Sequence, residues 1–343
     1  MPQLVNPRSP SPYQPVLTIA VPTYNRSANL ALLLRSLAPQ LLAEHRVELI
    51  ISDNCSPDDT PAIVEGFIQA GLQCRYIRNK ENIGSDLNFL QCYNEATAEY
   101  VWIFGDDDVI LPGSVSTILG LIEGREFDLI YLAPFGFVKD PAERGQANPN
   151  PWKKEFYNAP EFIHAVGLDG DFALISAVLV NKRRVEAYPH LPFVDALSTQ
   201  LIQLSWVFTA LKHFQRGLIV GRGLYAVCEE NPSRPFDIAL VFGVNWHKLA
   251  TLFFDPGSKV QEAVLNNQLY SWFPTHWYGL RKSAARTQTA PPDTLMRPLY
   301  GNSPLYWLCA YPLLKWPTLL AGGWLAMLRG IRKLDGVVHA LKK

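Results

Sequence analysis

Four short apolar runs, rich in β-branched and aromatic residues, alternate with helical patterns in the first third of the chain. The runs cover residues 16–21, 47–51, 74–78 and 100–104. Apolar residues that recur three and four positions apart predict helices between them. The predicted helices cover residues 29–38, 61–70 and 85–96. This alternation is typical of an α/β fold whose mainly parallel sheet carries helices on both faces.

Beyond residue 125 the pattern is less regular. Residues 128–132 predict another strand, and residues 138–154 form a charged loop rich in proline and glycine. Residues 197–214 predict a long, largely apolar helix.

Polar residues follow three of the predicted strands at the point where each strand ends. Thr23 follows the first strand, Asp53 the second, and Asp106, Asp107 and Asp108 the fourth. The carboxyl ends of parallel strands lie at one edge, where open α/β sheets bind their ligands. We therefore expect these side chains to meet in one site.

The acidic run 106–108 is a candidate metal site. Adjacent carboxylates repel one another, and a divalent cation or a metal–phosphate complex can offset their charge. Mg²⁺ takes one or two carboxylates and completes its octahedron with water and phosphate oxygens. The alternative interpretation is a solvated acidic turn.

Two loops at the same edge are candidates for nucleotide binding. The first consists of Pro22, Thr23, Tyr24 and Asn25. Its hydroxyl, ring and amide can bracket a base, although an ordinary strand-to-helix loop has the same composition. In the second loop Asp53 and Asn54 can accept hydrogen bonds from a base or ribose. A turn or helix cap is the alternative role for this pair.

Four blocks of this region resemble, in order and spacing, successive signatures of the family 2 glycosyltransferases. The blocks are VLTIAVPTYNR (16–26), LIISDNCSPDDT (49–60), NKENIGSDLNF (79–89) and YVWIFGDDDVILPG (100–113). Within the family, the NIG turn and the FG-DD ending resemble the bacterial O-antigen, abequosyltransferase-like branch. Such enzymes have the GT-A fold and are generally inverting.

The resemblance implies roles for individual residues. The implied nucleotide-binding residues are Pro22, Thr23, Tyr24, Asn25, Asp53, Asn54, Asn82, Asn88 and Asp106. Asp107 would hold Mn²⁺ or Mg²⁺, and Asp108 is a candidate second ligand. The commoner family pattern has an aspartate where this chain has Gly105, so the ligand set stays open. A cation at this place would neutralise the diphosphate leaving group.

The catalytic base is less evident. An inverting transfer needs a carboxylate that takes the proton of the acceptor hydroxyl. Family members often supply it from a Glu-Asp pair beyond the metal motif, but residues 196–206 contain no acid. We predict Asp195 as the base, with Asp171 as the next candidate. A cap for the following helix is the alternative role of Asp195.

Composition excludes some classes of protein. Lys and Arg total 31, as do Asp and Glu, so there is no global basic field that would recruit nucleic acid. The five cysteines form no CxxC pair, which gives no indication of a zinc site or a disulfide framework. The polar N-terminus lacks the apolar stretch of a signal peptide, so we expect a cytoplasmic location.

Residues 305–327 are apolar apart from Lys315. Their length would allow a membrane span, but Pro312 and Pro317 argue against a straight one. Basic residues follow this segment, namely Arg329, Arg332, Lys333, Lys342 and Lys343. We therefore favour a segment that lies in the membrane interface or is re-entrant. A hairpin packed on the catalytic domain is the alternative.

Together these patterns predict a GT-A fold with a C-terminal apolar helical extension. The expected regions are a flexible tail (1–15), a nucleotide-sugar-binding half (16–125), an acceptor-binding half with helices (126–300) and a membrane-interface segment (301–343). The resemblance implies metal-dependent, inverting transfer from a nucleotide-diphosphate sugar to a saccharide acceptor, on a polyprenyl-diphosphate lipid if the segment lies in the membrane. This activity would serve surface polysaccharide or O-antigen synthesis at the inner face of the cell membrane.

Two other functions stay open. Sugar-nucleotide nucleotidyltransferases share this sheet layout, but they usually hold a triphosphate in a Gly-rich loop, and residues 22–26 contain no glycine. A non-catalytic, membrane-associated scaffold that binds nucleotide sugars is the second alternative, because the Glu-Asp pair is missing.

Overall fold

The computed structural model describes residues 3–6, 14–137, 148, 150–169, 172–189, 191–228, 237–282 and 291–341. Asp171 and most of the loop 138–154 lie outside these residues. The chain folds into two units. The first comprises Met1–Tyr157, Phe172–Ser198 and Ile202–Asn231. The second comprises Asn158–Asp171, Thr199–Leu201 and Pro232–Lys343.

The first unit contains two sheets. The strands are β1 (Gln3–Asn6), β2 (Leu17–Thr23), β3 (Val47–Asp53), β4 (Arg75–Arg78), β5 (Tyr100–Ile103), β6 (Val109–Ile110), β7 (Leu129–Leu132), β8 (Phe135–Phe137), β9 (Lys153–Phe156), β10 (Val178–Asn181), β11 (Gly217–Val220) and β12 (Tyr225–Cys228). The main sheet has the order β1-β4-β3-β2-β5-β10-β7-β11-β9, and the small sheet has the order β6-β12-β8.

The described helices are numbered along the chain. They are α1 (Ser27–Leu41), α2 (Thr60–Gln69), α3 (Ser85–Glu95), α4 (Ser114–Ile122), α5 (Ala159–Asp169), α6 (Lys182–Ala187), α7 (Gln203–Lys212), α8 (Trp246–Phe253), α9 (Lys259–Asn267), α10 (Phe273–Lys282), α11 (Pro292–Tyr300), α12 (Tyr311–Lys315) and α13 (Thr318–Leu341). Helices α5 and α8 to α13 belong to the second unit.

The predicted parallel core is formed by β4, β3, β2 and β5, which are adjacent and run in one direction. All seven residues of β2 and of β3 are buried, as expected for strands covered on both faces. Strand β10 pairs antiparallel with both β5 and β7. The α/β prediction is confirmed, with an antiparallel strand set into the sheet beside β5.

Two local predictions were wrong, and one alternative is excluded. Helix α1 continues past Pro39 to Leu41. The helix tolerates this proline because, in the last turn, it costs only a single helical hydrogen bond. The helix predicted from residue 197 begins only at Gln203. Ser198 and Gln200 have φ angles of 65° and 59°, which no α-helix accommodates. Asp195 therefore does not cap that helix.

Residues 3–6, which belong to the predicted tail, pair with β4 as an edge strand. The second unit is helical in its described parts. Its core is a cluster of buried, mostly aromatic residues: Ala239, Leu269, Phe273, Trp277, Met296, Tyr300, Tyr306 and Ala310. Among the helices that the structure describes, none is both long and apolar enough to cross a membrane.

A buried lysine fixes the end of α3. The Lys182 ammonium donates to the carbonyl oxygens of Tyr93 (2.9 Å), Asn94 (3.2 Å) and Ala96 (2.8 Å). These are carbonyls of the last turn and its exit, which have no helical partner and carry the negative end of the helix dipole. Lys182 thus ties the beginning of α6 to the end of α3.

We expect Lys182→Met to lower the free energy of unfolding by about 2 kcal/mol, because it leaves buried carbonyls without a charged donor. Urea unfolding followed by circular dichroism measures this change. Lys153→Met is the control, since Lys153 is exposed on β9 and its loss should cost less than about 0.5 kcal/mol. Equal effects of the two substitutions would contradict the capping role.

Candidate active site

The ends of β2, β3 and β5 meet at one edge of the main sheet. Thr23 is paired in register with Asp53, and Ile103 at the end of β5 lies beside Ala20 of β2. The acidic run 106–108 follows β5 directly. The structure therefore brings the predicted loops of the three strands together.

Asp106 is buried and held by two donors from the loop after β2. The Thr23 hydroxyl donates to Asp106 Oδ2 at 2.8 Å, and Arg26 Nη1 donates to Oδ1 at 2.9 Å. Burial raises the pKa of Asp106 to about 6, with the charge of Asp107 adding to it and Arg26 opposing it. The carboxylate is thus a fixed part of the site.

Asp107 is the most exposed of the three carboxylates. Its side chain is 16% exposed, and Oδ2 lies 3.4 Å from Arg26 Nη1. The same guanidinium group therefore contacts both Asp106 and Asp107. Because Arg26 supplies a positive charge here, the protein itself offsets part of the repulsion within the acidic run.

Asp108 is buried, and its hydrogen-bond partners differ from those of Asp106. Its Oδ2 accepts from the Ser176 hydroxyl at 2.6 Å, and its Oδ1 accepts from the Cys228 amide at 3.2 Å. Burial and the charge of Asp107 raise its pKa to about 7. Asp108 thus anchors the run to β12 and to the short 3₁₀ turn Ile175–Ala177, and its role as second metal ligand stays a prediction.

Gly105 leaves little room for a side chain. A Cβ atom there would lie 3.1 Å from Asp107 Oδ1, 3.2 Å from Asp108 Oδ2 and 3.3 Å from Ser176 Oγ. In addition, the Gly105 amide donates to Ser176 Oγ at 2.9 Å. Close approach of the backbone to these groups explains why a glycine stands where the commoner family pattern has an aspartate.

Asp53 is fully buried, and both of its oxygens are bound by the protein. Oδ1 accepts from the Ser56 amide at 2.7 Å, and Oδ2 accepts from the Tyr76 hydroxyl at 2.5 Å. Arg78 Nε lies 3.3 Å from Oδ2. These contacts fix the loop after β3, and nucleoside binding by Asp53 stays a prediction.

The amide of Asn54 holds the NIG turn against the same loop. Asn54 Nδ2 donates to Asn82 Oδ1 (2.8 Å) and to the Gly84 carbonyl (3.2 Å). Its Oδ1 accepts from the Ile83 amide (2.9 Å) and from Asn79 Nδ2 (3.2 Å). Asn54 and Asn82 therefore bind each other and shape the rim of the site.

Asn88 binds Ser52 of β3 through both ends of its amide. Its Oδ1 accepts from the Ser52 hydroxyl at 2.7 Å, and its Nδ2 donates to the Ser52 carbonyl at 3.1 Å. Asn88 is buried and joins α3 to β3. The described contacts support a role in positioning the loops, and direct contact with a nucleotide is untested.

The loop after β2 is joined to the loop after β3. Pro22 is buried at the end of β2, whereas Tyr24 is half-buried and Asn25 is exposed. Asn25 has a φ of 56° and Cys55, in the neighbouring loop, has a φ of 65°. The Asn25 amide donates to Ser56 Oγ at 2.9 Å and links the two loops. Left-handed residues of this kind often occur at binding sites.

Asp195 lies in the 3₁₀ turn Phe193–Ala196 of the first unit and is exposed. Its carboxylate is therefore accessible to solvent. Asp171, the second candidate for the base, lies outside the described residues.

The sequence analysis missed Arg26 and Ser176, the residues that bind the two outer carboxylates. Arg26 lies within the first family-like block. Its positive charge, in a loop expected to meet three acids, could have indicated an ion pair with the acidic run. Ser176 is far from the run in sequence, and no local pattern marks it.

The described residues fit a cation that takes few protein ligands. Among them, no group of three His, Cys, Asp or Glu side chains could hold a metal ion. The oxygens of Asp106 and Asp108 already accept hydrogen bonds, so Asp107 is the carboxylate that fits best. A cation here would take its other ligands from water and diphosphate oxygens, as Mg²⁺ does at phosphate sites.

Comparisons with known proteins indicate the family that this chain resembles. Residues 18–183 match the family model described as Glycosyl transferase family 2. The abequosyltransferase RfbV of Salmonella typhimurium is 30% identical over 189 residues, which are 50% of this chain and 54% of RfbV. A GalNAc(5)-diNAcBac-PP-undecaprenol beta-1,3-glucosyltransferase of Campylobacter jejuni is 31% identical over 106 residues, 31% of this chain and 34% of that protein. The matched part thus spans about half of the first relative and a third of the second.

Among solved structures, S. aureus TarS 1-349 covers 94% of this chain and 91% of its own, with a TM-score of 0.58 and 16% identity. The same protein in complex with UDP-GlcNAc has a TM-score of 0.58 and 15% identity. These likenesses concern the fold alone, and they confirm the predicted GT-A architecture with a helical C-terminal region.

The raised pKa values predict a pH dependence of stability. The carboxyls of Asp106 and Asp108 keep their protons in the folded state at pH values where the unfolded chain has lost them. The folded state then binds more protons at these two groups, so their contribution to the free energy of unfolding should fall as the pH rises from about 4 to 7. Urea unfolding in the presence of a chelator measures this slope.

Asp108→Asn should reduce that fall by about 2 to 4 kcal/mol, because an amide does not ionise. Asp59→Asn is the control, since Asp59 is an exposed aspartate in the loop after β3 and should leave the slope unchanged. Identical slopes in the wild type and in Asp108→Asn would show that the Asp108 carboxyl is not perturbed as described.

Proposed function

We propose, on the premise that residues 18–183 are a family 2 glycosyltransferase domain, that this chain transfers a sugar from a nucleotide-diphosphate donor to a saccharide acceptor. The predicted resemblance to the O-antigen branch is confirmed by the similarity to RfbV. The proposal extends this family membership to the activity of the whole chain.

The observation that carries the proposal is the arrangement of Asp106, Asp107 and Arg26 at the carboxyl edge of the parallel strands. Ligands of open α/β sheets bind at this edge. The three groups combine a fixed carboxylate, an accessible carboxylate and a cation within one cluster. Such a set can bind both a divalent cation and the phosphates that accompany it.

We assign Asp107 as the protein ligand of Mn²⁺ or Mg²⁺. A cation bound there supplies Lewis-acid chemistry, because it neutralises the diphosphate leaving group. Asp106, fixed by Thr23 and Arg26, lies beside it and accepts hydrogen bonds from ribose or orients the ligand sphere. Arg26 offers a further positive charge to the diphosphate.

The nucleoside is proposed to bind against the loop after β2. Tyr24 presents a half-buried ring, and a base can stack on such a surface. The loop after β3 supports this surface through the contact between the Asn25 amide and Ser56. Asp53, at the end of β3, holds the second loop in place by accepting a hydrogen bond from the Ser56 amide.

The transfer is proposed to be inverting, with Asp195 as the base that takes the proton of the acceptor hydroxyl. The exposure of Asp195 supports this role, since an acceptor can reach the carboxylate without unfolding the turn. A buried carboxylate would offer no such access.

For the acceptor we propose a saccharide on a polyprenyl-diphosphate lipid, used at the inner face of the cell membrane. The Campylobacter jejuni relative is named as a glucosyltransferase that acts on a PP-undecaprenol-linked saccharide. That relative matches a third of this chain, so its acceptor indicates a class of substrate to test first.

The first test is metal-dependent hydrolysis of a panel of nucleotide-diphosphate sugars with Mn²⁺. We expect turnover of at least one donor, and we expect Asp107→Asn to reduce it at least about 100-fold, because the leaving group loses its charge stabilisation. The fold should remain intact, since Asp107 raises the pKa of both buried neighbours and its removal relieves that repulsion.

Asp59→Asn is the matched control and should retain wild-type hydrolysis. Circular dichroism and urea unfolding verify that both variants are folded. Full activity of Asp107→Asn would remove the metal assignment, and the absence of donor binding and turnover in the wild type would favour the scaffold alternative.

The second test concerns Asp195. Asp195→Asn should lower kcat for transfer to a saccharide acceptor by about 10²- to 10⁴-fold, because the hydroxyl loses its proton acceptor. The KM for the donor should stay unchanged, since Asp195 is assigned no donor contact. Steady-state kinetics with and without acceptor separates the two effects. An unchanged kcat would transfer the role of base to another residue.

A further inference from the structure

Helix α13 packs on the second unit through one face. The buried apolar residues of this face are Ala321, Leu325 and Leu328. Further along the same face, Arg332 Nη1 donates to the Ser271 carbonyl at 2.8 Å. Asp335 Oδ2 accepts from the Tyr270 hydroxyl at 3.2 Å and lies 3.2 Å from His164 Nε2. The helix is thus attached to the rest of the second unit from Ala321 to Asp335.

A second face of α13 is also apolar, but it is exposed. We call this face the apolar strip, and its residues are Leu319, Leu320, Gly323, Ala326, Met327, Gly330, Ile331 and Leu334. At 100° per residue these positions cover about 140° of the helix surface. Leu319 is 91% exposed and Leu334 is 67% exposed. Contiguous exposed apolar surface of this kind marks an interaction site.

The charged residues between positions 318 and 334 all have one sign. Arg329 and Lys333 lie along one edge and are exposed. Residues 318–334 contain no acid. The first acid in the helix, Asp335, is on the packed face and contacts Tyr270 and His164. An apolar face with a cationic edge is complementary to a surface of lipid tails and anionic headgroups.

Aromatic residues continue the strip at its other edge. The Trp324 ring lies 5.4 Å from the Trp316 ring, and Trp324 Nε1 donates to the Leu308 carbonyl at 2.8 Å. Trp316 and Leu308 are themselves exposed. Tryptophan prefers the depth of the headgroups, where its ring is in apolar surroundings and its N–H has a partner.

We propose that the apolar strip of α13 binds to the surface of an anionic lipid bilayer, with the helix lying in the plane of the interface. Arg329 and Lys333 contact the headgroups, and the leucines of the strip enter the boundary of the acyl chains. The inference rests on the proposed function in one respect: membrane binding would bring the chain to the proposed lipid-linked acceptor.

This surface differs from the segment expected from the sequence. Within residues 305–327, Cys309, Leu313 and Ala321 are buried in the second unit and are not available to lipid. The strip instead continues past that segment to Leu334. Arg332, expected at the headgroups, is bound to backbone carbonyls of the second unit.

The experiment is cosedimentation of the full chain with vesicles of phosphatidylcholine alone and with 30% phosphatidylglycerol, a fraction set at about that of anionic membranes. We expect binding to the anionic vesicles. The pair Leu319→Glu and Leu334→Glu should weaken it at least about tenfold, because charges replace the inserted side chains. The pair Arg329→Gln and Lys333→Gln should lower the preference for anionic lipid about fivefold per charge.

Leu252→Glu is the matched control, since Leu252 is an exposed leucine on α8 of the same unit and should leave binding unchanged. No binding of the wild type, or equal weakening by Leu252→Glu, would overturn the proposal. It would also be overturned if the double Glu variant lost self-association in sedimentation velocity while keeping its vesicle binding.

Donor hydrolysis measured on the same proteins separates this proposal from the proposed function. Lipid binding without hydrolysis would overturn the donor assignment and support the strip. Hydrolysis without lipid binding would do the reverse.

Discussion

The site depends on how three consecutive carboxylates are held where two of them are buried. Asp106 and Asp108 lie on either side of Asp107, and each is satisfied by a different part of the fold. The loop after β2 supplies Thr23 and Arg26 to Asp106. Ser176 and the amide of Cys228 bind Asp108. Burial of a charged group without such partners is costly. The acidic run can therefore exist only where these distant segments meet, and its presence constrains the fold around it.

The part of the fold that could be predicted from the sequence consists of elements that follow one another along the chain. Strands β2 to β5 and their helices follow one another along the chain, so short apolar runs and helical periodicity are enough to place them. The position of β10 between β5 and β7 was not predictable in this way, because it depends on pairing between residues such as Leu179 and Trp102. The late start of α7 has a local cause, the left-handed backbone at Ser198 and Gln200. The residue types at these two positions do not predict this conformation.

For the site, the sequence predicted which loops meet better than what each side chain does. Asn54, Asn82 and Asn88 were grouped as nucleotide-binding residues, yet their described hydrogen bonds connect the loops of the rim to one another. A polar residue at a strand end either binds a ligand or satisfies buried backbone groups, and both roles select the same residue types. Only the partners distinguish them. This is also why Ser176, whose partner Asp108 is far away in sequence, could not be recognised.

The distances from Arg26 indicate which carboxylate of the run could exchange this cation for a ligand. Arg26 donates to Asp106 at 2.9 Å and lies 3.4 Å from Asp107, so the contact with Asp107 is the weaker of the two. A side chain at position 105 would crowd the run, since its Cβ atom would lie 3.1 Å from Asp107 Oδ1. On the proposed assignment, a cation at this edge would bind Asp107 and take its remaining ligands from water or from the donor. If the proposed function holds, the diphosphate of the donor would supply such oxygens, and metal and donor binding would then depend on each other.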